Sequence, residues 1–432
     1  MTTALRAVNS APADSGVAAE LARGLRPFVG GDLPVRLRAW DGSEAGPADG
    51  PLVEIRTPDA LRRLLWRPGE LGAAQAYVTG EIDVEGDLDA ALTHVWDVVR
   101  QRGLGGRPGP AAFAAAIGAA LRTGAVGRPP AAPASQARVH GRLHSKLRDR
   151  AVISHHYDLS NEFYGRILDE TMAYSSAYWR KAPGTPGYTL ADAQRDKLSL
   201  VCRKLGLEPG MTLLDVGCGW GSLSLHAAEH FGAQVTGVTI AAEQKAYIDE
   251  QIRQRGLEDR VTIRLQDYRE VVGRWDAVAS IEMGEHVGEG NYPEYTRVLA
   301  GTVRRGGRVL VQQMSRRGRH PGGGPFIESF IAPDMHMRPV GRTVDLIEDA
   351  GLEVRDVHAL REHYVWTVDA WMENFTTHRE HLTDLVGEEV MRVWELYLVG
   401  GRMAFRDGRM GVDQILAVRP GEPHTLAPER GW

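Results

Sequence analysis

Three glycines at alternate positions, Gly217, Gly219 and Gly221, follow a short apolar run that contains Asp215. Because glycine has no Cβ, a turn built from such residues lets the backbone approach a bound molecule closely. The turn also opens a helix whose N-terminal N–H groups face the carboxyl end of the preceding strand. Such a cleft suits an adenosine-containing ligand, either a nicotinamide dinucleotide or S-adenosylmethionine.

The glycine spacing distinguishes these two ligands. The dinucleotide fingerprint is G-x-G-x-x-G with an acid about 20 residues further on. Here the pattern is G-x-G-x-G, and the second strand ends at Thr239 and Ile240 without an acid. The sequence therefore favours S-adenosylmethionine.

Further segments bring tyrosines, histidines and carboxylates close together along the chain: residues 155–164 with 172–179, residues 280–288 and residues 395–406. Taken singly, aromatic residues such as Tyr174 would be interpreted as ordinary core. Their chemical meaning depends on the elements that position them.

From Val152 onward, strand-like and helical segments alternate, which predicts a mostly parallel sheet with helices on both faces. Residues 315–339 are rich in Arg, Gly and Pro and are expected to form an active-site lid or binding loop. The strands are expected at residues 211–216, 234–239, 261–265, 275–281, 307–313, 352–358 and 411–418, and the principal helices at residues 241–256, 291–303, 365–384 and 386–406.

The first 150 residues follow a different pattern. We expect residues 1–20 to be disordered, residues 21–102 to form a small α+β domain, and residues 103–150 to be a linker with a basic segment. The basic segment, residues 138–150, has two leucines spaced i, i+4. It forms either an amphipathic helix on anionic lipid or a solvated helix leading into an α/β domain over residues 151–432.

Length and composition bound the function. A chain of 432 residues predicts two domains, and a net charge of -5 argues against a nucleic-acid partner. Two cysteines, Cys202 and Cys218, exclude a disulfide framework and a multi-cysteine metal site, and no metal is expected. The sequence has neither the apolar core of a signal peptide nor an 18-residue apolar run, so we expect a cytoplasmic protein.

Taken together and in this order, these motifs resemble the cyclopropane-fatty-acyl-phospholipid synthase family, which includes the mycolic-acid cyclopropane synthases. The resemblance covers about residues 150–420, and residues 68–88 look like the family's N-terminal lipid-binding domain. It implies a Rossmann-like class I S-adenosylmethionine-dependent methyltransferase fold with a smaller α+β lipid-binding domain. It also implies an acyl-chain substrate, peripheral contact with the inner face of the cell membrane, and a homodimer.

The resemblance assigns cofactor contacts residue by residue. The methionine end of the cofactor is expected to contact the Tyr-Ser pair and the glycine loop. The ribose and the adenine are expected to contact residues after the second strand and an Asp-Tyr pair. The implied set is Tyr174, Ser175, Asp215, Gly217, Cys218, Gly219, Gly221, Thr239, Gln244, Asp267 and Tyr268.

The reaction implied is methyl transfer to an alkene carbon, which leaves a carbocation that must lose a proton. The site must therefore exclude water, surround the cation with aromatic faces and place a base nearby. Family members use a bicarbonate ion held by a Glu, a His, a Tyr and backbone near a Cys, and Glu285 and Tyr397 match the Glu and Tyr. His156, in the segment 155–164, is a further catalytic candidate. The aromatic candidates for stabilising the cation are Tyr157, Tyr164, Trp179 and Tyr397.

Three positions depart from the family pattern. Ser176 replaces the usual cysteine, Gln312 the usual histidine, and Glu282 a glycine found in many relatives. Glutamine can donate a hydrogen bond but cannot carry a proton. We therefore predict that Glu282 replaces or assists bicarbonate as the base; the alternative is that Glu282 only holds its loop.

Altered proton removal bears on the product. Proton loss from the transferred methyl closes a cyclopropane ring, whereas a hydride shift before proton loss gives a methylene branch, such as 10-methylene stearate, that a separate reductase would saturate. We favour the methylene product. One competing hypothesis is a cytosolic small-molecule methyltransferase, which would not need the N-terminal domain. The other is a non-catalytic lipid-binding protein, against which the glycine loop, Glu285 and Tyr397 argue.

Overall fold

The structure is a computed structural model that describes residues 16–103, 109–137, 160–318 and 322–431. It divides into two compact units. The small unit comprises Met1–Gln136 with Glu388–Val399, and the large unit comprises Ala137–Gly387 with Gly400–Trp432. The predicted helix 138–150 lies outside the described residues.

The small unit has an α+β architecture. Its four-stranded sheet has the order β2-β1-β3-β4, with β1 and β3 parallel and the other pairs antiparallel. Its elements are α1 (Val17–Val29), β1 (Arg36–Ala39), β2 (Glu44–Ala45), β3 (Leu52–Ile55), α2 (Pro58–Trp66), α3 (Glu70–Val78), β4 (Ile82–Glu85), α4 (Leu88–Gln101) and α5 (Pro110–Arg122).

Two sequence-based expectations for the small unit were wrong in detail. Helix α1 already begins at Val17, because the Asp41 carboxylate and the Ser43 hydroxyl accept the first N–H groups at 2.9 Å each. The region interpreted as a linker contains helix α5, whose Phe113 packs edge-on against Phe28 with ring centroids 5.5 Å apart. Its alanine-rich composition favours a helix, but the segment has almost no polar residues, so it lacks the amphipathic pattern by which a helix is identified in a sequence.

The C-terminal helix also contributes to the small unit. Helix α14 (Arg379–Arg406) contains Gly387 in a left-handed conformation (φ 79°), and the following segment 388–399 belongs to the small unit. There the Arg392 guanidinium lies over the Tyr77 ring at 4.1 Å and donates to the Tyr77 carbonyl. Residues 151–432, which were expected to form one α/β domain, are therefore divided, because the segment 388–399 belongs to the small unit.

The large unit is built on a seven-stranded sheet with the order β10-β11-β9-β8-β5-β6-β7. Strands β7, β6, β5, β8 and β9 run parallel, and β11 and β10 pair antiparallel at one side. The strands are β5 (Thr212–Val216), β6 (Gln234–Thr239), β7 (Val261–Leu265), β8 (Trp275–Ile281), β9 (Val303–Arg316), β10 (Glu353–Ala359) and β11 (Met410–Val418).

Helices cover both faces of this sheet, as the alternating pattern predicts. One core joins the sheet to α7, α8 and α9, and a second joins it to α10 and α12. The helices of the unit, with the shared α14, are α6 (Asn161–Ile167), α7 (Leu190–Leu205), α8 (Ser222–Phe231), α9 (Ala242–Arg255), α10 (Tyr292–Thr302), α11 (Pro325–Phe330), α12 (Val340–Asp349) and α13 (Arg361–Thr377).

The sheet topology sets the location of the site. The chain proceeds from β5 outward through β6 and β7, then returns to β8 on the other side of β5. The strand order thus reverses between β5 and β8, and ligands of α/β sheets bind outside the carboxyl ends of the strands at such a point. Among the described helices, none is long and apolar enough to cross a membrane.

Candidate active site

The glycine loop leaves β5 and leads into α8. Gly217, Gly219 and Gly221 have φ values of 79°, 55° and 83°, a left-handed conformation that side-chain-bearing residues rarely adopt. A Cβ on Gly217 would lie 2.8 Å from Met283, and one on Gly221 would lie 3.0 Å from Ile248. A Cβ on Gly219 would meet nothing within 4 Å, so this glycine faces open space where a ligand can contact the backbone.

That open space is a cleft between β5, β8 and α7. Its empty volume is about 540 Å³, part of which is open solvent. The lining residues are Met172, Tyr174, Ser175, Lys197, Leu198, Asp215, Gly217, Cys218, Gly219, Trp220, Ser222, Leu223, Ile281 and Glu282. Six predicted cofactor residues thus meet around one cleft.

Asp215 is the acid that the sequence places at the end of β5. It is buried, and its carboxylate accepts a hydrogen bond from the Ser224 hydroxyl at 2.8 Å. Burial raises the pKa of Asp215 to about 6, and the Ser224 hydrogen bond and the Lys197 charge oppose the rise. A carboxylate is therefore fixed beside the glycine loop.

The residues predicted to contact ribose and adenine lie beyond the cleft lining, after β6 and β7. The buried Thr239 hydroxyl donates to the Gln244 side-chain oxygen at 3.0 Å. The Asp267 carboxylate accepts from the Arg269 guanidinium, and the buried Tyr268 ring packs edge-on against Tyr295. The structure orders these residues at the same edge of the sheet but does not place them in the cleft described above.

Glu282 follows β8 and is held from several sides. One carboxylate oxygen accepts from the Ser176 backbone N–H and the Gln312 side-chain amide, both at 2.8 Å. The other accepts from the Tyr364 hydroxyl at 2.7 Å, and Gln312 in turn accepts from Gln414 at 2.9 Å. Burial raises the pKa of Glu282, while these hydrogen bonds and the charge of Lys197 oppose that rise.

The backbone of Glu282 is unusual as well. Its φ of 48° is in the left-handed region, which costs a residue with a side chain about 1–3 kcal/mol when the surroundings impose it. Two of the three predicted departures from the family pattern, Ser176 and Gln312, are its hydrogen-bond donors. The unusual residues therefore form one cluster.

Glu285, three residues later, is in the opposite situation. It is fully buried in a short 3-10 turn, and neither of its carboxylate oxygens has a hydrogen-bond partner among the described residues. Burial and then the charge of Glu282 raise the pKa of Glu285 to about 8, although backbone groups at Glu285 and Met314 are close enough to oppose the rise. Both carboxyls are thus shifted upward by burial, but hydrogen bonds stabilise the charged form of Glu282, whereas the charge of Glu282 raises the pKa of Glu285 further.

The tyrosine at this cluster differs from the expected one. Tyr364, on α13, donates to Glu282 and stacks on Phe405 with ring centroids 4.3 Å apart. Tyr397 belongs to the small-unit segment 388–399, where its ring packs edge-on against Trp394 at 5.5 Å. Helix α13 was expected to start at residue 365 but begins at Arg361, so the sequence reading left Tyr364 outside the helix.

Aromatic side chains continue from the cleft into the large unit. Tyr164 lies 4.7 Å from Trp220 and 5.7 Å from Tyr174, and Tyr174 lies 5.5 Å from Trp371, all measured between ring centroids. The predicted Trp179 donates its indole N–H to Thr367. The predicted His156 and Tyr157 lie outside the described residues.

The site has few features of a metal centre. Within the described ranges, no group of three or more His, Cys, Asp or Glu side chains is arranged to hold a metal ion. An open glycine loop, a fixed acid and an aromatic wall instead fit an adenosine-containing sulfonium ligand, since cations are attracted to aromatic faces.

Comparison with known proteins identifies the family. Residues 144–415 match the family described as mycolic acid cyclopropane synthetase. A probable fatty acid methyltransferase of Pseudomonas putida is 36% identical over 397 residues, which is 90% of this chain and 92% of the relative. The tuberculostearic acid methyltransferase UfaA1 of Mycobacterium tuberculosis is 34% identical over 404 residues, covering 90% of this chain and 89% of the relative.

Another relative and a solved structure extend the comparison. The cyclopropane-fatty-acyl-phospholipid synthase of Escherichia coli K12 is 32% identical over 379 residues, covering 87% of this chain and 89% of the relative. The mycolic acid cyclopropane synthase CmaA1, solved with S-adenosylhomocysteine (SAH), aligns with a TM-score of 0.58 at 29% identity, over 62% of this chain and 98% of that chain. The chain therefore belongs to the mycolic acid cyclopropane synthetase family and is an S-adenosylmethionine-dependent methyltransferase with the class I fold.

Proposed function

We propose that this enzyme methylates the cis double bond of an unsaturated fatty-acyl chain of a membrane phospholipid and converts it to a methylene-branched acyl chain, with Glu282 as its built-in proton acceptor. The observation that carries the proposal is the position of the Glu282 carboxylate. It lines the cofactor cleft and is fixed there by Ser176, Gln312 and Tyr364.

The chemistry sets three requirements. S-adenosylmethionine, when bound, supplies an electrophilic methyl group. The attacking alkene becomes a carbocation on the acyl chain, so the site must exclude water, surround the positive charge with aromatic faces and accept a proton. Tyr174 and Trp220 line the cleft and join the aromatic wall that meets the first requirement and stabilises positive charge.

Glu282 is better suited than Glu285 to accept the proton. An acceptor must be ionised, and the burial of Glu285 without a partner keeps it protonated near neutral pH. Gln312 occupies the position of the family histidine but cannot carry a proton, so its contribution is to orient Glu282. A C–H bond next to a cationic centre is strongly acidic, so a well-placed weak base is sufficient to remove its proton.

The same hydrogen bonds favour the methylene product. Three donors stabilise the charged form of Glu282 and make it a weaker base than a carboxylate without them. Slower proton removal gives the carbocation time for a hydride shift, which moves the charge to the more substituted, methyl-bearing carbon. Proton loss from the methyl group then gives a methylene branch, which would be the substrate of a separate reductase.

The substrate proposal includes peripheral contact with the cytoplasmic face of the membrane. The relatives named above include enzymes of fatty acids and of fatty-acyl phospholipids. A phospholipid acyl chain can enter the site only if the enzyme reaches the bilayer surface. The basic residues in the segment 138–150 would supply attraction to anionic lipid.

The test is product analysis with a defined substrate. The purified enzyme is incubated with methyl-labelled S-adenosylmethionine and dioleoyl phospholipid vesicles, and the released acyl chains are analysed by gas chromatography–mass spectrometry. We expect label in a methylene branch of the acyl chain. Label only in a cyclopropane ring would contradict the product, and no label in the acyl chain would contradict the substrate.

A further inference from the structure

Lys197 is a buried cation in the cofactor cleft that the mechanism above leaves without a role. It lies on α7, is 1% exposed, and lines the cleft with Ser175 and Asp215. Its ammonium donates to the Ser175 hydroxyl at 2.8 Å, which is its one hydrogen bond among the described residues. An ammonium has three donors, so this geometry leaves donor capacity within the cleft.

The charged form of Lys197 is costly in this position. Burial lowers the pKa of Lys197 to about 8, and the charges of Glu282, Asp169 and Asp215 only partly oppose the fall. Within the described ranges, none of these carboxylates forms an ion pair with it. A buried ammonium gains most from an anion that it contacts directly.

The cleft and the expected ligand have complementary charges. The charged side chains lining the cleft are two carboxylates, Asp215 and Glu282, and one cation, Lys197. The methionyl end of S-adenosylmethionine has the opposite set, with an ammonium and a sulfonium as cations and one α-carboxylate as the anion. The ligand anion therefore has a single side-chain cation to match it.

We propose that the Lys197 ammonium binds the α-carboxylate of the methionyl end, next to the Ser175 hydroxyl. The proposal rests on the assignment of this cleft to S-adenosylmethionine and not on the nature of the methylated product. Lys197 would then recognise the amino-acid end of the ligand. A ligand that lacks the carboxylate would lose the part of the binding affinity that Lys197 supplies.

A purely structural role is the competing explanation, and Gln194 provides the comparison. One helical turn before Lys197 on α7, the Gln194 amide donates to the carbonyls of Ala173 at 3.2 Å and Ser175 at 2.9 Å. It braces the loop of Tyr174 and Ser175 without a charge. If Lys197 only braced that loop, its loss would resemble the loss of Gln194.

The experiment measures affinity by calorimetry for two ligands that share the nucleoside and the sulfur atom. SAH has the carboxylate, whereas 5′-methylthioadenosine lacks the whole amino-acid tail. We expect Lys197→Met to weaken SAH binding about 10- to 100-fold, the scale of a hydrogen bond to a charged group, and to change methylthioadenosine binding less than about 2-fold. Gln194→Leu, the matched control, should weaken both ligands by similar factors.

A second measurement compares S-adenosylmethionine with its decarboxylated form, first on the parent enzyme and then on Lys197→Met. The parent enzyme should bind decarboxylated S-adenosylmethionine about 10- to 100-fold more weakly than S-adenosylmethionine, and this difference should disappear in Lys197→Met. Equal affinities of the parent for these two ligands would overturn the proposal, as would equal weakening of SAH and methylthioadenosine by Lys197→Met. No binding of SAH by the parent would overturn the cofactor assignment and this proposal together, whereas a cyclopropane product would affect the proposed function alone.

Discussion

Two neighbouring regions of the large unit meet at the active site and are built in different ways. The glycine loop after β5 binds through its backbone, since Gly217, Gly219 and Gly221 contribute left-handed conformations and open space. The cluster after β8 works through side chains, with Glu282 held by donors from distant parts of the chain. In the proposed function, the first region binds the cofactor and the second accepts the proton from the carbocation.

The largest expected effect is on the glycine loop. Gly219→Val places a β-branched side chain at φ 55° and in the space where the ligand contacts the backbone. We expect calorimetry to show loss of S-adenosylmethionine binding, at least about 100-fold, from strain and steric exclusion together.

The matched control is Gly256→Val. Gly256 has φ 63°, also meets nothing within 4 Å, and ends α9. It should lower the melting temperature comparably but leave binding unchanged. Unchanged affinity in Gly219→Val would contradict the assignment of the loop.

The second largest effect is expected at Glu282, whose substitution should lower turnover without weakening cofactor binding. Glu282→Gln keeps the shape of the side chain but cannot accept a proton, so we expect turnover to fall about 100-fold or more, the scale of general-base catalysis. SAH affinity should stay within a few-fold, which separates this cluster from the glycine loop. Near-parental turnover would make Glu282 a structural residue.

A smaller effect is expected from the tyrosine that orients Glu282. Tyr364→Phe removes one of three hydrogen bonds to the carboxylate, and the loss of a bond of about 1–1.5 kcal/mol corresponds to roughly a 10-fold change. We expect lower turnover and a changed ratio of methylene to cyclopropane product in mass spectrometry. Tyr397→Phe is the control; if it lowers turnover and Tyr364→Phe does not, the sequence-based assignment of Tyr397 is the correct one.

The smallest effect on turnover is expected at Glu285. Because its raised pKa keeps it neutral near pH 7, Glu285→Gln should retain turnover within about 10-fold. The sign of the stability effect follows from the same shift. A carboxyl with a raised folded-state pKa stabilises the fold below its unfolded pKa, and this contribution is lost as pH rises toward about 8.

The stability comparison can be measured by thermal unfolding. Between pH 5 and pH 8, the melting temperature of Glu285→Gln should rise relative to that of the parent. The corresponding difference in the free energy of unfolding should grow by up to about 1.4 kcal/mol per pH unit. The opposite trend, or turnover abolished in Glu285→Gln at pH 7, would show that Glu285 is the ionised partner.

Sequence reasoning was most successful where structure is local. The strands β6, β7 and β8 have the predicted bounds, because β-branched residues, which favour strands, recur in all three. The glycine loop could be placed for the same reason, since its residues are consecutive. Helix α5 was missed because its alanine-rich sequence has no amphipathic period.

The Glu282 cluster could be predicted only in part. The unusual residue types at Ser176, Glu282 and Gln312 were visible, but the contacts among them join positions 30 to 106 residues apart. Tyr364 and Gln414 came from elements that carry no motif. Such contacts depend on the topology of β8, β9, β11 and α13, which the sequence pattern does not determine.

Chemical rescue tests most directly whether the Glu282 carboxylate performs the task that the family resemblance assigns to a bicarbonate ion. Glu282→Gly removes the carboxylate at a φ of 48°, which suits glycine, so the variant should fold. Turnover is measured in bicarbonate-depleted buffer and again after bicarbonate is added. We predict an unchanged rate for the parent and a slow variant that bicarbonate accelerates; a parent that slows strongly on depletion would contradict the account.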